Sequence, residues 1–495
     1  MIMKYTILLF FILAFSTDFK TQGQTRIRYL TLDEAIEIAK AQSPDALNAR
    51  QAFRSSYWEF RSYQASNLPE LSLSAYLPTY VQAINPQYYN GVQSYSSYEY
   101  ISANAKLALT QIIGLTGGTI SMTSEANGVN NKKDTMNPRS YLTTPLKIVF
   151  HQPLFQFNPY RWNRIIQPLK FTQAKRKYIE DVEQISINTT NFFCKLLMAQ
   201  VDKKIALTNL ANSDTLYHIS KGRYQVGKIA ENQLLQMELK FLNAQTEVEN
   251  TELLLYTAQL NFKSYLRIND SVNIILLPPA DIKFFTIDPK TTMDLAVNNS
   301  STSLDYNKRL LDAASAVNRS KMEGRFDVNL DAEIGLTQTG PTIQDAYYKP
   351  LDQRQFSLGI TIPIVDWGVA HGKIKMAQSE EDRIKNQIEQ QRIDFRRSVY
   401  IKAIQFNMQQ KLLRIAAKSD TVASKSYEVA YNRYLVGKIN DILDLNNAQT
   451  ERDTNKKLYY SALQTFWTSY FEIRQMTLFD FLKNEPIQFD FRDVR

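Results

Sequence analysis

The stretch Arg433-Tyr-Leu-Val-Gly-Lys438 separates two long segments that lack helix-breaking residues. From Lys373 to Val436 the chain has neither Gly nor Pro over 64 residues, and from Lys438 to Glu485 it again has neither. A single helix of that first length would extend about 96 Å, at a rise of about 1.5 Å per residue. Gly ends a helix readily because it adopts the left-handed conformation at little cost. The sequence therefore predicts a long helical hairpin with its tip at Gly437.

The apolar residues of the first arm support this prediction, because they recur at intervals of 3, 4 or 7 residues, as in a coiled-coil seam. Charged residues lie between them and indicate a solvated face. A helix several times longer than the average of about three turns needs packing partners along its whole length. The apolar series consists of Ile384, Ile388, Phe395, Val399, Ala403, Phe406, Leu413 and Ala417.

The same hairpin occurs earlier in the chain. Arg223-Tyr-Gln-Val-Gly-Lys-Ile229 matches the stretch from Arg433 to Ile439 at an offset of 210, and the offset holds back to Pro153 and Pro363. A register of this length without gaps predicts an internal duplication. Beyond the tips the sequence leaves a second offset, of 204, as an alternative, because the segment 243–247 recurs at 447–451. This alternative would require a slip of six residues between the two halves.

Each half also contains segments that alternate between apolar and polar residues, which is typical of two-faced strands. We expect four strands per chain, near residues 71–77, 148–153, 328–336 and 356–364. The segment 81–146 has no counterpart of similar length in the second half and is predicted to be an insertion of loops or extended strands. Because about eight strands form the smallest filled barrel, four strands indicate that several chains pool their strands.

The N-terminal segment is typical of a cleaved signal peptide: a short basic start, an apolar run from Tyr5 to Phe15 and a polar stretch. We expect the signal peptide to span 1–24, the first repeat 25–278, the second repeat 279–485 and a peripheral polar tail 486–495. A first mature helix begins after Thr31, an N-cap candidate with Glu34 at the capping-box position, and is interrupted at Pro44. The single cysteine, Cys194, excludes an intrachain disulfide framework.

This architecture resembles the TolC-type outer-membrane efflux channel family, over about Leu30 to Phe481. The resemblance is carried by the doubled Tyr-x-Val-Gly tips, the segment from Ile360 to Gly368 and the opening helix from Leu32 to Ala39. It implies a mainly α fold with β: a trimer built from an internally duplicated chain, with a long coiled-coil helical barrel continued by a 12-stranded transmembrane β-barrel. The implied partners are a periplasmic adaptor and, through it, an inner-membrane pump, and the implied location is the outer membrane with a periplasmic helical domain.

The resemblance also implies functional residues. Two acidic residues three apart, Asp441 and Asp444, match the periplasmic gate of the family, whereas Gln233 stands where the first half would carry a gating carboxylate. The alternative interpretation of the aspartates is a solvated helix start near the positive end of the helix dipole. Polar residues at alternate positions of one strand, Asn329, Asp331 and Glu333, would line the pore. The adaptor-contact tips would be Arg223, Tyr224, Val226, Gly227, Lys228, Arg433, Tyr434, Val436, Gly437 and Lys438.

The leading hypothesis for function is a passive exit duct of a tripartite efflux or type I secretion system. A non-transporting periplasmic coiled-coil protein is the alternative, and it shares the long helices but does not need two-faced strands. An enzyme is the least favoured class, because the sequence has no P-loop, Gly-rich nucleotide fingerprint, H-E-x-x-H or G-x-S-x-G motif. We expect no cofactor and no metal, and the net charge of +9 contains no basic run that indicates nucleic-acid binding.

Overall fold

The computed structural model describes residues 26–89, 91–131, 139–269, 272–279, 282–436 and 442–494. The whole predicted signal peptide, 1–24, lies outside this range, and so do Gly437, Lys438 and Asp441. The described residues form two compact units. Of the described residues, the first unit comprises those up to Arg50, those of Ile179–Ala296 and those of Ser398–Phe489, and the second comprises those of Gln51–Tyr178, those of Val297–Arg397 and those from Asp490 onward.

Four long helices form two hairpins of equal length. Helix α3 (Pro159–Gln225) and helix α8 (Val369–Leu435) each have 67 residues, and the return helices α4 (Glu231–Leu266) and α9 (Ile442–Thr477) each have 36. The outgoing arms start 210 residues apart, at 159 and 369, and the return arms end 211 apart, at 266 and 477. These equal lengths and offsets support the duplication. The alternative offset of 204 beyond the tips is wrong, because the offset between the return arms differs by only one residue from that between the outgoing arms.

Shorter helices precede each strand region, as the sequence predicts. They are α1 (Leu32–Gln42) and α2 (Pro44–Ala65) in the first half, and α5 (Pro289–Asn299) and α6 (Ser301–Glu323) in the second. Thr31 caps α1 in a capping box with Glu34, and the break before Pro44 is confirmed. The short strands β1 (Arg26–Leu30) and β6 (Val272–Leu276) pair in parallel.

The core of the first unit consists of apolar side chains from the hairpins and from these short elements. Phe193 and Leu196 of α3, Phe406 of α8 and Leu463 of α9 are almost fully buried in it. The burial of Val399, Ala403, Phe406 and Leu413 confirms these four members of the predicted coiled-coil seam of α8. Within the described residues, no helix is both long enough and apolar enough to cross a membrane.

The second unit contains one antiparallel sheet of six strands. The strands are β2 (Glu70–Tyr89), β3 (Val92–Ile113), β4 (Gly118–Asn131), β5 (Arg139–Leu154), β7 (Asp327–Gly340) and β8 (Leu351–Thr361), in the order β2-β3-β4-β5-β7-β8. A short helix, α7 (Ile343–Tyr347), lies between β7 and β8. The expected count of four strands is wrong, because the segment 81–146 forms extended strands that join the same sheet.

Two predictions about the C-terminal part are also wrong. Helix α9 ends at Thr477 rather than near Glu485, because Leu478 adopts a positive φ of 51° and the chain turns into strand β9 (Phe479–Asp480), which pairs with β10 (Glu485–Pro486). The tail is not peripheral, because the ring of Phe491, in a 3-10 helix over 491–494, packs 5.1 Å from the ring of Phe53. The repeat boundary at 278 and 279 stays a prediction.

Candidate functional site

The tip of the first hairpin is closed by backbone hydrogen bonds around Gly227. Gly227 adopts a positive φ of 71°, and the Lys228 N–H donates to the Arg223 carbonyl at 2.8 Å. A left-handed residue followed by such a bond is the usual end of a helix at Gly. Tyr224 and Val226 remain exposed, with 40% and 69% of their surfaces accessible. The first tip therefore presents one aromatic and one aliphatic side chain beside the charge of Lys228.

The second tip is bound to the first through Arg223. Its guanidinium donates to the Tyr434 carbonyl oxygen at 3.2 Å and lies over the Tyr434 ring, 5.1 Å from the centroid. Tyr434 is only 3% exposed, so its ring packs inside the chain rather than at the surface. Val436 is 68% exposed and Arg433 is exposed as well. The two tips thus lie side by side and form one surface.

Of the two predicted gate residues, the structure describes only Asp444. It is exposed and lies in the first turn of α9. Gln233, at the corresponding place in the first hairpin, accepts a hydrogen bond from the Ala230 N–H at 3.2 Å and so caps the start of α4. Whether the aspartates gate the channel stays a prediction.

A layer of polar side chains joins the two hairpins about three to five helical turns from the tips, and sequence reasoning missed it. Arg452 of α9 donates to Asp453 at 2.6 Å and to the Asn209 side chain of α3 at 2.6 Å, and its guanidinium lies 4.0 Å from the centroid of the Tyr427 ring. Asn209 donates in turn to Asp453 at 2.7 Å, and Asn212 donates to the Tyr427 hydroxyl at 2.9 Å. We call these five residues and Lys240 the polar layer.

Lys240 connects the two return helices. Its ammonium donates to the side chains of Gln449, at 2.8 Å, and Asn446. Burial lowers the pKa of Lys240 to about 8, although nearby Asp453 opposes the shift. The groove beside it has a volume of about 620 Å³. It is lined by α4 and α9 side chains, including Gln236, Asn243, Leu443 and Thr450.

The polar layer is suited to hold the hairpins together without making the contact permanent. Hydrogen bonds and cation–π contacts fix geometry, and water can replace them when the helices separate, whereas a close-packed apolar seam has no such substitute. A smaller apolar cluster, with Leu216, Met237 and Leu445, lies beside the layer. No local signal marks Arg452 or Asn209, since both stand in polar stretches that are typical of a solvated helix face.

The predicted pore-lining residues lie on one face of β7, among further polar residues. Glu333 pairs with Lys147 at 3.2 Å, Asp331 lies 2.6 Å from Nδ1 of His151, and Asn329 accepts a hydrogen bond from Gln156 at 3.0 Å. The opposite face of the same strand carries Ile334, which is 55% exposed. The sheet therefore has a polar and an apolar side; whether the polar side lines a pore stays a prediction.

Comparison with known proteins agrees with this picture. Residues 311–477 match the family model described as outer membrane efflux protein. Among solved structures, the chain is similar to the outer membrane protein VceC from Vibrio cholerae, with a TM-score of 0.63 and 13% identity over 92% of this chain and 97% of that one. It is also similar to the Campylobacter jejuni outer membrane channel CmeC, with a TM-score of 0.64 and 14% identity over 90% and 85%.

A third similar structure is the open state of the Neisseria gonorrhoeae outer membrane channel MtrE, with a TM-score of 0.51 and 12% identity over 90% of this chain and 88% of that one. A search of the curated proteins finds no match. The family match and the fold confirm the resemblance to TolC-type channels that the sequence predicts. The family model covers residues 311–477 of the 495, and the solved structures show that the chain shares the fold of these outer membrane channels.

Proposed function

We propose that three copies of this chain form the exit duct of a tripartite efflux or type I secretion system and passively conduct cargo to the cell exterior. The observation that carries the proposal is the sheet with one apolar and one polar face. Such a sheet buries its apolar side in lipid and turns its polar side to an aqueous lumen. A non-transporting coiled-coil protein needs neither face, and nothing in the structure favours that alternative.

Closure into a ring of copies follows from the edges of the sheet. Strands β2 and β8 are its two edge strands within the described residues. An open edge exposes unpaired backbone groups, and these cannot be left unsatisfied in hydrocarbon. Because the six strands alternate in direction, β8 of one protomer meets β2 of the next in antiparallel fashion. A ring of copies therefore closes without a change in pairing.

The tips are the surface that we propose for the periplasmic adaptor. Tyr224, Val226 and Val436 expose apolar side chains next to the cationic Lys228 and Arg433, which is the composition of a small hydrophobic contact with a charged rim. Arg223 and Gly227 shape this surface, and the buried Tyr434 supports it from inside. Gly437 and Lys438 complete the set by their place in the sequence. The inner-membrane pump is reached through the adaptor.

The periplasmic gate is proposed at Asp441 and Asp444, which a trimer repeats three times around its axis. Six carboxylates that face a narrow aqueous throat attract cations and repel anions. Arg452 and Asp453 of the polar layer lie about two to three helical turns farther along the chain, and the layer keeps the hairpins together while the gate is closed. Replacement of Arg452 should therefore loosen the closed state, whereas replacement of the aspartates should change selectivity.

Single-channel recording of the purified protein in planar bilayers tests the duct and the gate together. We expect a small cation-selective conductance that polyvalent cations block. Asp441→Asn with Asp444→Asn should weaken selectivity and block, and Arg452→Ala should raise conductance. The matched control is Glu231→Gln with Glu238→Gln on α4 of the first hairpin, which should behave as wild type.

The outcomes separate the parts of the proposal. Absence of any conductance from a heat-modifiable outer-membrane oligomer would contradict the duct. Unchanged selectivity and block in the double aspartate variant would contradict the gate alone and leave the aspartates as a solvated helix start. A mass corresponding to a monomer in detergent, with no larger species, would contradict trimerisation.

A further inference from the structure

The two strands that the first half has in excess, β3 and β4, lie inside the sheet rather than beside it. β3 pairs with β2 from Glu70↔Thr110 onwards, and β4 pairs with β3 up to Ile113↔Gly118 and with β5 on its other side. In the second half, by contrast, β7 and β8 are direct neighbours. The first half therefore contributes four strands to this six-stranded sheet and the second half two. We call the sheet the wall, since it would form one protomer's part of the barrel.

The apolar face of the sheet continues across the inserted strands. Leu107 of β3 stands opposite Leu73 of β2, and Leu109 stands opposite Leu71 on one side and Met122 of β4 on the other. Met122 in turn stands opposite Ile148 of β5. Apart from the half-buried Leu109, these side chains are exposed in the single chain; Leu107 and Met122 each have 44% of their surface accessible. A hairpin folded outside the wall would not carry this face in register.

The polar face continues across the same strands. On β3 and β4, Asn104 donates to Glu125 at 2.7 Å and the hydroxyls of Thr110 and Ser121 lie 3.1 Å apart. Lys106 stands directly opposite Glu125 in the register. This row leads through β5 to the pair of Lys147 and Glu333. Both faces thus continue across β3 and β4, on the Lys147 side of the register shifts in β5.

We infer that the barrel of this protein has eighteen strands, six from each of three protomers, and not the twelve that four strands per chain would give. The inference rests on the proposed trimer. With strands about 4.8 Å apart and tilted about 40°, eighteen strands give a backbone diameter of about 36 Å and twelve give about 24 Å. Barrels of about 16–18 strands leave an aqueous channel. The lumen through the membrane therefore admits hydrophilic solutes of larger radius.

The insertion of a complete hairpin also explains why the ring still closes. Two added strands keep the directions of β2 and β8 opposite, so the contact between protomers stays antiparallel. One added strand would make β8 and the neighbouring β2 parallel and require a different pairing. A wall of this kind grows in steps of two strands per chain.

Cysteine accessibility in outer-membrane vesicles tests the inference. Lys106→Cys and Glu125→Cys, on the polar face, should react with a charged maleimide, whereas Leu107→Cys, on the apolar face, should be protected by lipid. Glu333→Cys and Ile334→Cys on β7 form the matched control pair. The native Cys194 is buried, and its burial raises the pKa of the thiol to about 12, so it gives little background.

The result distinguishes two failures. If the β7 pair alternates but Lys106→Cys and Leu107→Cys are labelled equally, β3 and β4 lie outside the wall and the eighteen-strand barrel is wrong. If the β7 pair does not alternate, the sheet does not lie in the membrane and the proposed duct itself is wrong.

Polymer exclusion in planar bilayers gives an independent measurement. Deletion of 92–131 removes β3 and β4 and leaves β2 connected to β5, so the trimer would have twelve strands. We expect the largest polyethylene glycol that enters the barrel from the extracellular side to fall in radius by about a third, following the ratio of about 24 Å to 36 Å. An equal cut-off for both proteins would overturn the inference. If the deletion prevents assembly, the labelling experiment still decides.

Discussion

The two halves of the chain have kept their helices alike and let their strands differ. The hairpins have arms of 67 and 36 residues in both halves, with a single residue of slip at the tips. The strand regions have four strands in the first half and two in the second. Helical arms that pack side by side and end at one common surface cannot change length independently, because every contact along them would shift. A sheet can accept an added hairpin at the cost of two new pairings.

The largest effect on export is expected when the two hairpins are given different lengths. Inserting a heptad into both arms of the first hairpin, after residues 221 and 232, moves the first tip by about 10 Å, at about 1.5 Å per residue. The contact of Arg223 with Tyr434 is then lost, whereas the contacts of Asn209 and Asn212 are kept. We expect export to be abolished although the trimer still assembles, as judged by an export assay and by heat-modifiable migration.

The matched control inserts heptads at the equivalent places of the second hairpin as well, after residues 431 and 443. The two tips then lie side by side again, and export should recover at least in part. Normal export by the variant with only the first hairpin lengthened would show that the equal lengths have no functional meaning.

Much of this fold could be predicted from the sequence, because long helices leave strong local signals. The segment from Lys373 to Val436 has no helix breaker, and the tips repeat in register, so the ends of the outgoing arms at the tips were predictable almost to the residue, although the last helix ends eight residues earlier than predicted. The strands at 328–336 and 356–364 alternate clearly. The strands β3 and β4 were missed as wall elements because Ala, Ser and Asn dominate parts of their faces, which weakens the alternation.

The candidate site was less predictable than the fold, because it depends on contacts between distant segments. Gly227 marks the first tip through its own conformational requirement, which is local. Arg452 and Asn209 are separated by more than two hundred residues and meet only because both hairpins fold against each other. A charged residue next to Glu451 and Asp453 is typical of an exposed helix face, so the sequence could not indicate its burial.

A second prediction concerns a buried ion pair that joins the two halves and has no counterpart at the duplicated positions. Arg474 of α9 donates two hydrogen bonds to Glu183 of α3, both at 3.0 Å, and Glu183 is 1% exposed. At the duplicated position of Glu183 stands Ile393. Arg474 also pairs with the buried Asp480 at 2.8 Å, so Arg474→Met leaves two buried carboxylates without this partner. Breaking a buried pair in this way costs about 3–5 kcal/mol of stability. We expect a fall of the thermal midpoint by several degrees, measured by loss of helical circular dichroism.

Arg383→Met is the control for this prediction, because Arg383 forms an exposed pair with Glu380 on α8. Exposed pairs contribute about 0–1 kcal/mol, so the midpoint should hardly change. Equal effects of the two variants would show that burial does not set the contribution of the Arg474 pair.

A third prediction isolates backbone conformation at the first tip. An added Cβ at Gly227 would meet no atom within 4 Å, so a side chain has space and only the positive φ of 71° resists it. The left-handed conformation costs residues other than Gly roughly 1–2 kcal/mol, and Asn tolerates it better than β-branched residues do. Gly227→Val should therefore reduce export or adaptor binding several-fold, and Gly227→Asn should reduce them much less. Equal losses in the two variants would indicate that the tip needs the absence of a side chain rather than the left-handed turn.

The smallest effect on stability is expected from Lys240. This residue also differs between the halves, because the duplicated position in α9 is the exposed Glu451. Burial lowers the pKa of Lys240 to about 8, against a usual value of 10.5, so the folded chain disfavours the ammonium form. Between about pH 8 and 10.5 the unfolded chain binds more protons than the folded chain, and stability therefore rises with pH across this window. Below about pH 8 both states are protonated and the destabilisation by the buried charge is fully present.

The thermal midpoint of the wild type minus that of Lys240→Met should thus increase from pH 7.5 to pH 10, because the variant lacks this titration and other groups cancel in the difference. Lys228→Met, at the exposed tip, should give a difference that does not change over the same range. A constant difference for Lys240→Met would show that its ammonium is as well solvated in the folded hairpins as in the unfolded chain.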